Sequence, residues 1–356
     1  LGIELGAFSV KVVVAQAGFR QTTIVDYFEQ PVPPGDEPVE ERAARALAEL
    51  LRTGGLENDV PHLVQPGDQV SMRVLDFGFA GLKRADLEKA VGAELEAQLP
   101  HDLDDLLYDF EVLPPVNGPS AGGPGRPPAQ VGTRVLVAAS TRERVARLLG
   151  VAKAHQVEPR SVLAAPPLYA RAVTRLDAVT ACPSSVPVMV IDHGHLRTNL
   201  CVVMGGRAIF ARTLSRGGRH LTEAMARAWN VPFAEAERAK HESGFVISPG
   251  EPVPAHAGEH PAWAAISDVL SRELMPLIRD LRQTVVACRA QTDLSPGRVL
   301  LCGGGGRLGG LSSFLAHELG LPVVGLSLDD APRLIGVAAA ARGVSADAAL
   351  LAHAVV

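Results

Sequence analysis

One short pattern is written twice in this chain. It runs Leu1-Gly2-Ile3-Glu4-Leu5-Gly6-Ala7-Phe8-Ser9-Val10-Lys11-Val12 at the start and Val190-Ile191-Asp192-His193-Gly194-His195-Leu196-Arg197-Thr198-Asn199-Leu200 past the middle. Each copy is an apolar strand, an acid, one spacer, a Gly, a short bend and a second apolar strand. Two such β-turn-β units predict a duplicated fold with a cleft between the halves. Gly in such a turn adopts backbone angles closed to other residues, so amide N–H groups can line up against an anion. The acids beside them, Glu4 and Asp192, can hold a hydrated metal ion on that anion. Either acid alone reads more simply as a turn cap that accepts backbone N–H bonds. Two in matching contexts tip the reading towards a shared ligand, a nucleoside triphosphate with magnesium.

The 356 residues suffice for two domains or more. A composition 47% hydrophobic and 21% charged is that of a soluble globular protein. The net charge of -5 and pI near 6.1 argue against a nucleic-acid binder. Cys182, Cys201, Cys288 and Cys302 are scattered without a C-x-x-C pair, so they read as small buried apolar residues in a reducing compartment. No secretory signal is visible, and no apolar run reaches the roughly 20 residues that span a bilayer. The start at Leu1 and the stop in an apolar run at Val356 leave room for the natural protein to continue at either end.

The periodicity predicts alternating strands and helices, hence α/β architecture. Strands are expected over 10–15, 22–28, 70–77, 106–113 and 134–139, and again over 188–192, 200–204, 207–214 and 298–302. Helices are expected over 39–52, stopped by Gly54-Gly55, and over 85–99, where Leu87, Val91, Leu95 and Leu99 recur at i, i+4. Ser140-Thr141-Arg142-Glu143 resembles a capping box opening a helix to about His155. Further helices are expected over 221–229, 233–243, 262–291 and 312–319. Residues 114–133, rich in Pro and Gly, read as a disordered loop, and 249–261 as another loop.

The glycine run Gly303 to Gly310 follows a strand and leads into a helix, where backbone can approach a flat or charged ligand. It contains Gly304-x-Gly306-x-x-Gly309, a formal dinucleotide fingerprint. Only some 50 residues follow it, too few for the two halves of a Rossmann domain. A strand-to-helix turn without a ligand remains open. No G-x-x-x-x-G-K-[ST] occurs, which excludes a P-loop. Asp192, His193 and His195 lack a third metal ligand at convincing spacing. Glu237 and Lys240, at i, i+3, are either a solvated pair or part of a site.

Taken in order, these stretches resemble the actin-like ATPase superfamily, the two turns looking like its phosphate motifs and the glycine turn like its adenosine motif. The chain is most similar to the family of the type IV pilus assembly protein PilM and the cytoplasmic region of the type II secretion protein GspL. The likeness rests on Gly2-Ile3-Glu4-Leu5-Gly6 with Ser9-Val10-Lys11, Asp192-x-Gly194 with Thr198-Asn199, and Gly206-Arg207-x-Ile209-Phe210-x-Arg212. It continues through Gly217-Gly218, Leu221 to Ala224, Glu235 to Glu237 with Lys240, Leu301 to Gly306, and Leu319 to Val323. The resemblance implies an actin-like (ribonuclease H-like) two-lobed fold with a small subdomain inserted in the first lobe. Lobe 1 would comprise 1–69, 141–186 and 330–356, the insert 70–140, and lobe 2 residues 187–329.

Carried over, Gly6, Ser9, Lys11, Asp192, Gly194 and Thr198 would lie near the phosphates of ATP. Glu237 and Lys240 would approach the ribose, and Gly303, Gly304, Gly305 and Arg307 the base, with Glu4 and Asp192 holding Mg2+ through water. The chain departs from the pattern at Glu4, where Asp is usual, at Ala7 and Phe8, which replace small polar residues, and at His193, His195 and Arg197. Phe8 has no donor and would crowd its turn. These changes count against hydrolysis and suit the GspL region better than PilM. The implied role is a scaffold at the cytoplasmic face of the bacterial inner membrane. It would recruit the assembly ATPase or platform-subunit tails, with the insert as the candidate surface. Membrane association would come through partners or a segment outside the chain, and nucleic acid would play no part. An active assembly ATPase, an empty cleft and a homodimer are the alternatives left open.

Overall fold

The computed structural model describes residues 1–17, 22–56, 59–114, 132–175, 185–252 and 262–326. The repeated pattern folds into repeated topology. In the first half, β1 (Gly2–Leu5), β2 (Ser9–Ala17) and β3 (Thr22–Pro31) form an antiparallel meander. Parallel to β1 run β4 (His62–Gln65) and then β8 (Ser161–Ala164), giving the order β3-β2-β1-β4-β8. In the second half β9 (Val188–His193), β10 (Thr198–Met204) and β11 (Arg207–Leu214) repeat the meander. There β12 (Arg298–Cys302) and β13 (Val323–Gly325) repeat the parallel pair, in the order β11-β10-β9-β12-β13.

Each sheet is buried by helices. α1 (Val39–Gly54) turns Ala43, Ala46, Leu47 and Leu50 onto the first sheet, beside α3 (Arg142–Ala154). On the second sheet lie α5 (Gly218–Trp229), α7 (Trp263–Thr292) and α8 (Leu311–Leu319), and α6 (Phe233–Ser243) packs on α5. α4 (Ala165–Arg175) leaves the first sheet at β8 and packs on β10 and β11 of the second. That crossing brings Tyr169, fully buried, under β9 and β10.

Between β4 and β8 the chain makes a third, antiparallel sheet in the order β5-β7-β6, from β5 (Ser71–Phe77), β6 (Leu106–Val112) and β7 (Thr133–Thr141). α2 (Arg84–Gln98) covers one face with Leu87, Val91 and Leu95 against Leu75, Phe110 and Val137. The β5 edge of this sheet packs on β11 of the second sheet, and ion pairs link β7 to the C-cap of α7 (Arg134 with Asp293) and β6 to β11 (Glu111 with Arg207).

The sequence reading needs amendment in these places. Helix 142–154 starts one residue later than the capping box proposed. Thr141 is its N-cap, accepting from the Arg144 amide at 3.3 Å. The Ser140 hydroxyl is spent elsewhere, accepting from Gln65 Nε2 at 2.7 Å and donating to the Gln69 carbonyl at 2.9 Å. The strands β4 and β8 and the helix α4 have no counterpart in the sequence reading. Most of 114–133 and 249–261, and all of 330–356, fall outside the described residues.

Candidate functional site

The two hairpin turns face each other across a cleft of about 360 Å³, closed by α6 and the glycine turn after β12. The acids of the two turns occupy equivalent places. In the β1/β2 register Glu4 lies opposite Lys11, and in the β9/β10 register Asp192 lies opposite Asn199. Both glycines press on the carbonyl three residues later. A Cβ on Gly6 would meet the Ser9 oxygen at 2.4 Å, and one on Gly194 the Arg197 oxygen at 3.1 Å.

What answers each acid differs. Lys11 Nζ donates to Glu4 Oε2 at 3.3 Å, and both side chains are largely buried. Burial pushes the Glu4 carboxyl above its ordinary value and nearby Asp192 adds to the push, while Lys11 pulls it back. Asp192 is 4% exposed and makes no ion pair with a described residue. Its Oδ2 accepts from the Tyr169 hydroxyl at 2.6 Å and from Asn199 Nδ2 at 3.0 Å, and Thr213 Oγ1 donates to Asn199 Oδ1 at 3.0 Å, fixing the amide. Burial and then Asp192 hold the Tyr169 phenol well above its ordinary value, so it stays a donor. Asp192 therefore rests on neutral donors alone at the cleft wall.

The glycine turn closes on that side chain. Gly303 sits at φ 84°, and a Cβ there would come within 2.3 Å of Asp192 Oδ1. Only Gly takes this backbone and leaves this room. A short 3-10 turn, Gly304–Arg307, follows and leads into α8. Arg307 acts across the cleft on the Tyr27 phenol, which burial and Glu29 push up.

On the other wall Lys240 Nζ donates to Thr222 Oγ1 at 2.7 Å, Glu237 Oε2 at 2.9 Å and the Gly218 carbonyl at 3.0 Å. Burial lowers the Lys240 pKa, with Glu237 opposing. Against burial, the bonds from Lys240 and Thr222 hold the Glu237 carboxyl below its ordinary value. The pair is thus a structured part of the wall rather than a solvated one.

The mouth beside the first turn is covered by rings. Phe8, 44% exposed, stacks on His241 with centroids 5.8 Å apart and tilts against His195 at 5.4 Å. His195 meets the edge of Phe233 at 6.4 Å. A side chain of the first hairpin turn thereby rests on two imidazoles from the second half of the chain.

Nearly every residue named from the sequence lines this cleft: Glu4, Gly6, Ser9, Lys11, Asp192, Gly194, Glu237, Lys240, Gly303, Gly304, Gly305 and Arg307. Thr198 does not. It is fully buried, paired with His193 Nδ1 at 2.8 Å and donating to the Arg216 carbonyl at 2.7 Å. Ser9 lines the cleft, but its hydroxyl donates to Glu29 Oε1 at 2.5 Å. His193 turns away from Asp192, and burial, then Lys240, lower its imidazole to about 4. Tyr169 and Glu29 were missed. Asn199 could have been found as the counterpart of Lys11, seven residues past the acid in each copy.

A model of the type IV pilus assembly protein PilM family matches residues 2–253. The chain belongs to that family. Among solved structures, the PilM-PilN type IV pilus biogenesis complex is similar, with TM-score 0.77 and 22% identity over 99% of this chain and 96% of that one. A diol dehydratase-reactivating factor in nucleotide-free form gives TM-score 0.52 and 11% identity over 99% and 98%. The cytoplasmic domain of EpsL, an inner membrane component of the type II secretion system of Vibrio cholerae, gives 0.37 and 13% over 71% and 78%. The fold is the actin-like, ribonuclease H-like one, with the paired meanders as its two halves. That removes the dinucleotide-fold reading of Gly304, Gly306 and Gly309. No helix among the described residues is long and apolar enough to cross a membrane.

Proposed function

We propose that the chain is a scaffold of a type IV pilus inner-membrane platform, whose cleft holds ATP with Mg2+ as a structural ligand. It would work at the cytoplasmic face, as a docking body for a PilN-like subunit tail or for the assembly ATPase, with the 70–140 insert as the candidate surface. Family membership supports the pilus assignment. The nucleotide assignment is carried by one observation: Asp192 faces the glycine turn on neutral donors only, while Lys11, Lys240 and Arg197 are each tied to a carboxylate.

Such a wall suits a polyphosphate that arrives with its own cation. Mg2+, when bound, would supply the neutralisation that the paired cations do not. Asp192, with Glu4 beside it, would hold its water shell. Gly303 to Gly305 would admit base and ribose close to backbone, with Glu237 and Lys240 towards the ribose and the Gly6 and Gly194 turns at the phosphates. Phe8 offers no donor at the first turn and packs on His195 and His241 there, which supports a cleft that holds its ligand rather than turns it over.

Calorimetric titration with ATP and Mg2+, alongside Asp192→Asn, tests this. The expected result is binding lost in the variant, with no phosphate release above blank at saturation. Release abolished by Asp192→Asn would replace the scaffold with an assembly ATPase. No heat at millimolar ATP would leave the fold as a scaffold without a cofactor.

A further inference from the structure

Of the two oxygens of the Asp192 carboxyl group, the protein claims one. Oδ2 accepts from both the Tyr169 hydroxyl at 2.6 Å and Asn199 Nδ2 at 3.0 Å. Oδ1 accepts from no described residue. Among the described residues, the sealed side-chain polar atoms without a partner are His193 Nε2 and Ser248 Oγ, so Oδ1 is not sealed. It lies towards the glycine turn, where a Cβ on Gly303 would collide with it, and Gly303 and Asp192 both line the cleft. The unclaimed oxygen is the one that the cleft receives.

The terminal torsion of an Asp side chain is broad, so by itself it does not fix where either oxygen points. Two donors on Oδ2 remove that freedom and give Oδ1 one heading. Both donors are themselves held. The Tyr169 ring is fully buried in the core beneath β9 and β10, which leaves its hydroxyl no other heading. The Asn199 amide is fixed by Thr213 Oγ1, which donates to its Oδ1 at 3.0 Å. Gly67, in the turn after β4, packs against the same pair, and a Cβ there would collide with Asn199 Oδ1 and Thr213 Oγ1. That turn also grips the second hairpin through Asp68, paired with Arg197 at 2.6 Å. Asp192 stands on β9, yet its heading is set by α4 and the β4 turn, both continuous with the first sheet.

We infer that Tyr169, with Asn199, is a positioning residue that holds Asp192 with Oδ1 towards the cleft and so sets how well the site takes a hydrated divalent cation. The inference rests on the reading of the cleft as a site for ATP with Mg2+. Tyr169 does not line the cleft and acts through Asp192 alone. Its ring serves packing, and a Phe ring would serve it as well. The hydroxyl serves the acid. Groups that orient a metal-facing side chain typically change metal affinity by about 10–100-fold when they are removed.

The test is calorimetric titration of the whole chain with ATP, once in excess Mg2+ and once in EDTA. It compares the wild type, Tyr169→Phe, Asn199→Ala and Asp192→Asn, and melting curves check that each variant folds. The readout is the gain in affinity that Mg2+ brings. In Tyr169→Phe that gain is expected to shrink about tenfold, while the affinity for metal-free ATP stays at the wild-type value. Asn199→Ala is expected to shrink it in the same way, and it carries the test if Tyr169→Phe does not fold. Equal weakening with and without Mg2+ would mean that the hydroxyl supports the fold rather than the acid, and would overturn the inference. A gain unchanged in Tyr169→Phe and Asn199→Ala but lost in Asp192→Asn would overturn the inference and leave the reading of the cleft standing. No gain from Mg2+ in the wild type would overturn both.

Discussion

The first hairpin turn and the second start from one pattern and end as different electrostatic objects. In the first, the residue opposite the acid is Lys11, and Glu4 is neutralised where it stands. In the second, that place holds Asn199, and a tyrosine from another helix adds a second neutral donor to Asp192. Equal backbones therefore carry unequal charge. The difference shows that a motif acid is defined less by its place in the turn than by the partner seven residues on.

The sharpest way to break this comparison is to remove each acid. Asp192→Asn is expected to weaken Mg-ATP binding by about a hundredfold, an effect on the scale of losing a metal-site partner, read by calorimetry. Glu4→Gln should weaken it far less but leave Lys11 buried without its anion. That costs roughly 3 kcal/mol of stability, most of it recovered in Glu4→Gln/Lys11→Met. Denaturant midpoints of the three variants decide it. Equal nucleotide losses in Glu4→Gln and Asp192→Asn would sink the proposed asymmetry.

The second comparison concerns the spacer between acid and Gly, Leu5 in one turn and His193 in the other. The unfolded imidazole, with its ordinary pKa of 6.5, takes up a proton that the folded one refuses until about 4. The unfolded state thus binds more protons in that window. Stability should fall as pH drops from about 6.5 to about 4, by about 3 kcal/mol in all. His193→Leu should flatten that part of a urea-melt profile against pH.

The third concerns the turn glycines. Gly6→Ala places a Cβ 2.4 Å from a carbonyl oxygen, and Gly194→Ala places one at 3.1 Å. The first should cost about 2–3 kcal/mol and the second about 1, read from melting temperatures. Equal costs would mean that the two turns are equally tight. The smallest effect expected is at Phe8. Its ring contacts with His195 and His241 are worth about 1 kcal/mol. Phe8→Ser should free that mouth and tighten Mg-ATP binding about fivefold, with little change in melting temperature.

Much of this fold was legible because its signals are local. Alternating apolar strands around the two Gly turns announced the duplicated meander, and the i, i+4 leucines announced α2. The residues of the cleft wall followed from the two turns, the glycine run and the family resemblance. What escaped was short or disguised. β4 and β8 are four residues each, with no full alternation to count. α4 opens on Ala165-Pro166-Pro167, which reads as a breaker, yet Pro in a first turn removes only N–H groups that have no helical partner anyway. Tyr169 sits on that hidden helix, so its part in the site carried no signal.

By itself the sequence determined that two like hairpins exist, where their acids and glycines stand, and that a glycine turn meets a helix nearby. Those are consequences of strand period and backbone freedom, which neighbouring residues decide among themselves. Only the tertiary structure decided which groups remain available there. It spent the Ser9 hydroxyl on Glu29, buried Thr198 against Arg216, laid Phe8 on His241, and set Tyr169 beneath Asp192. Each of those partners is remote in the chain, and packing chooses among remote partners because a buried polar group must find a hydrogen bond wherever the fold places one.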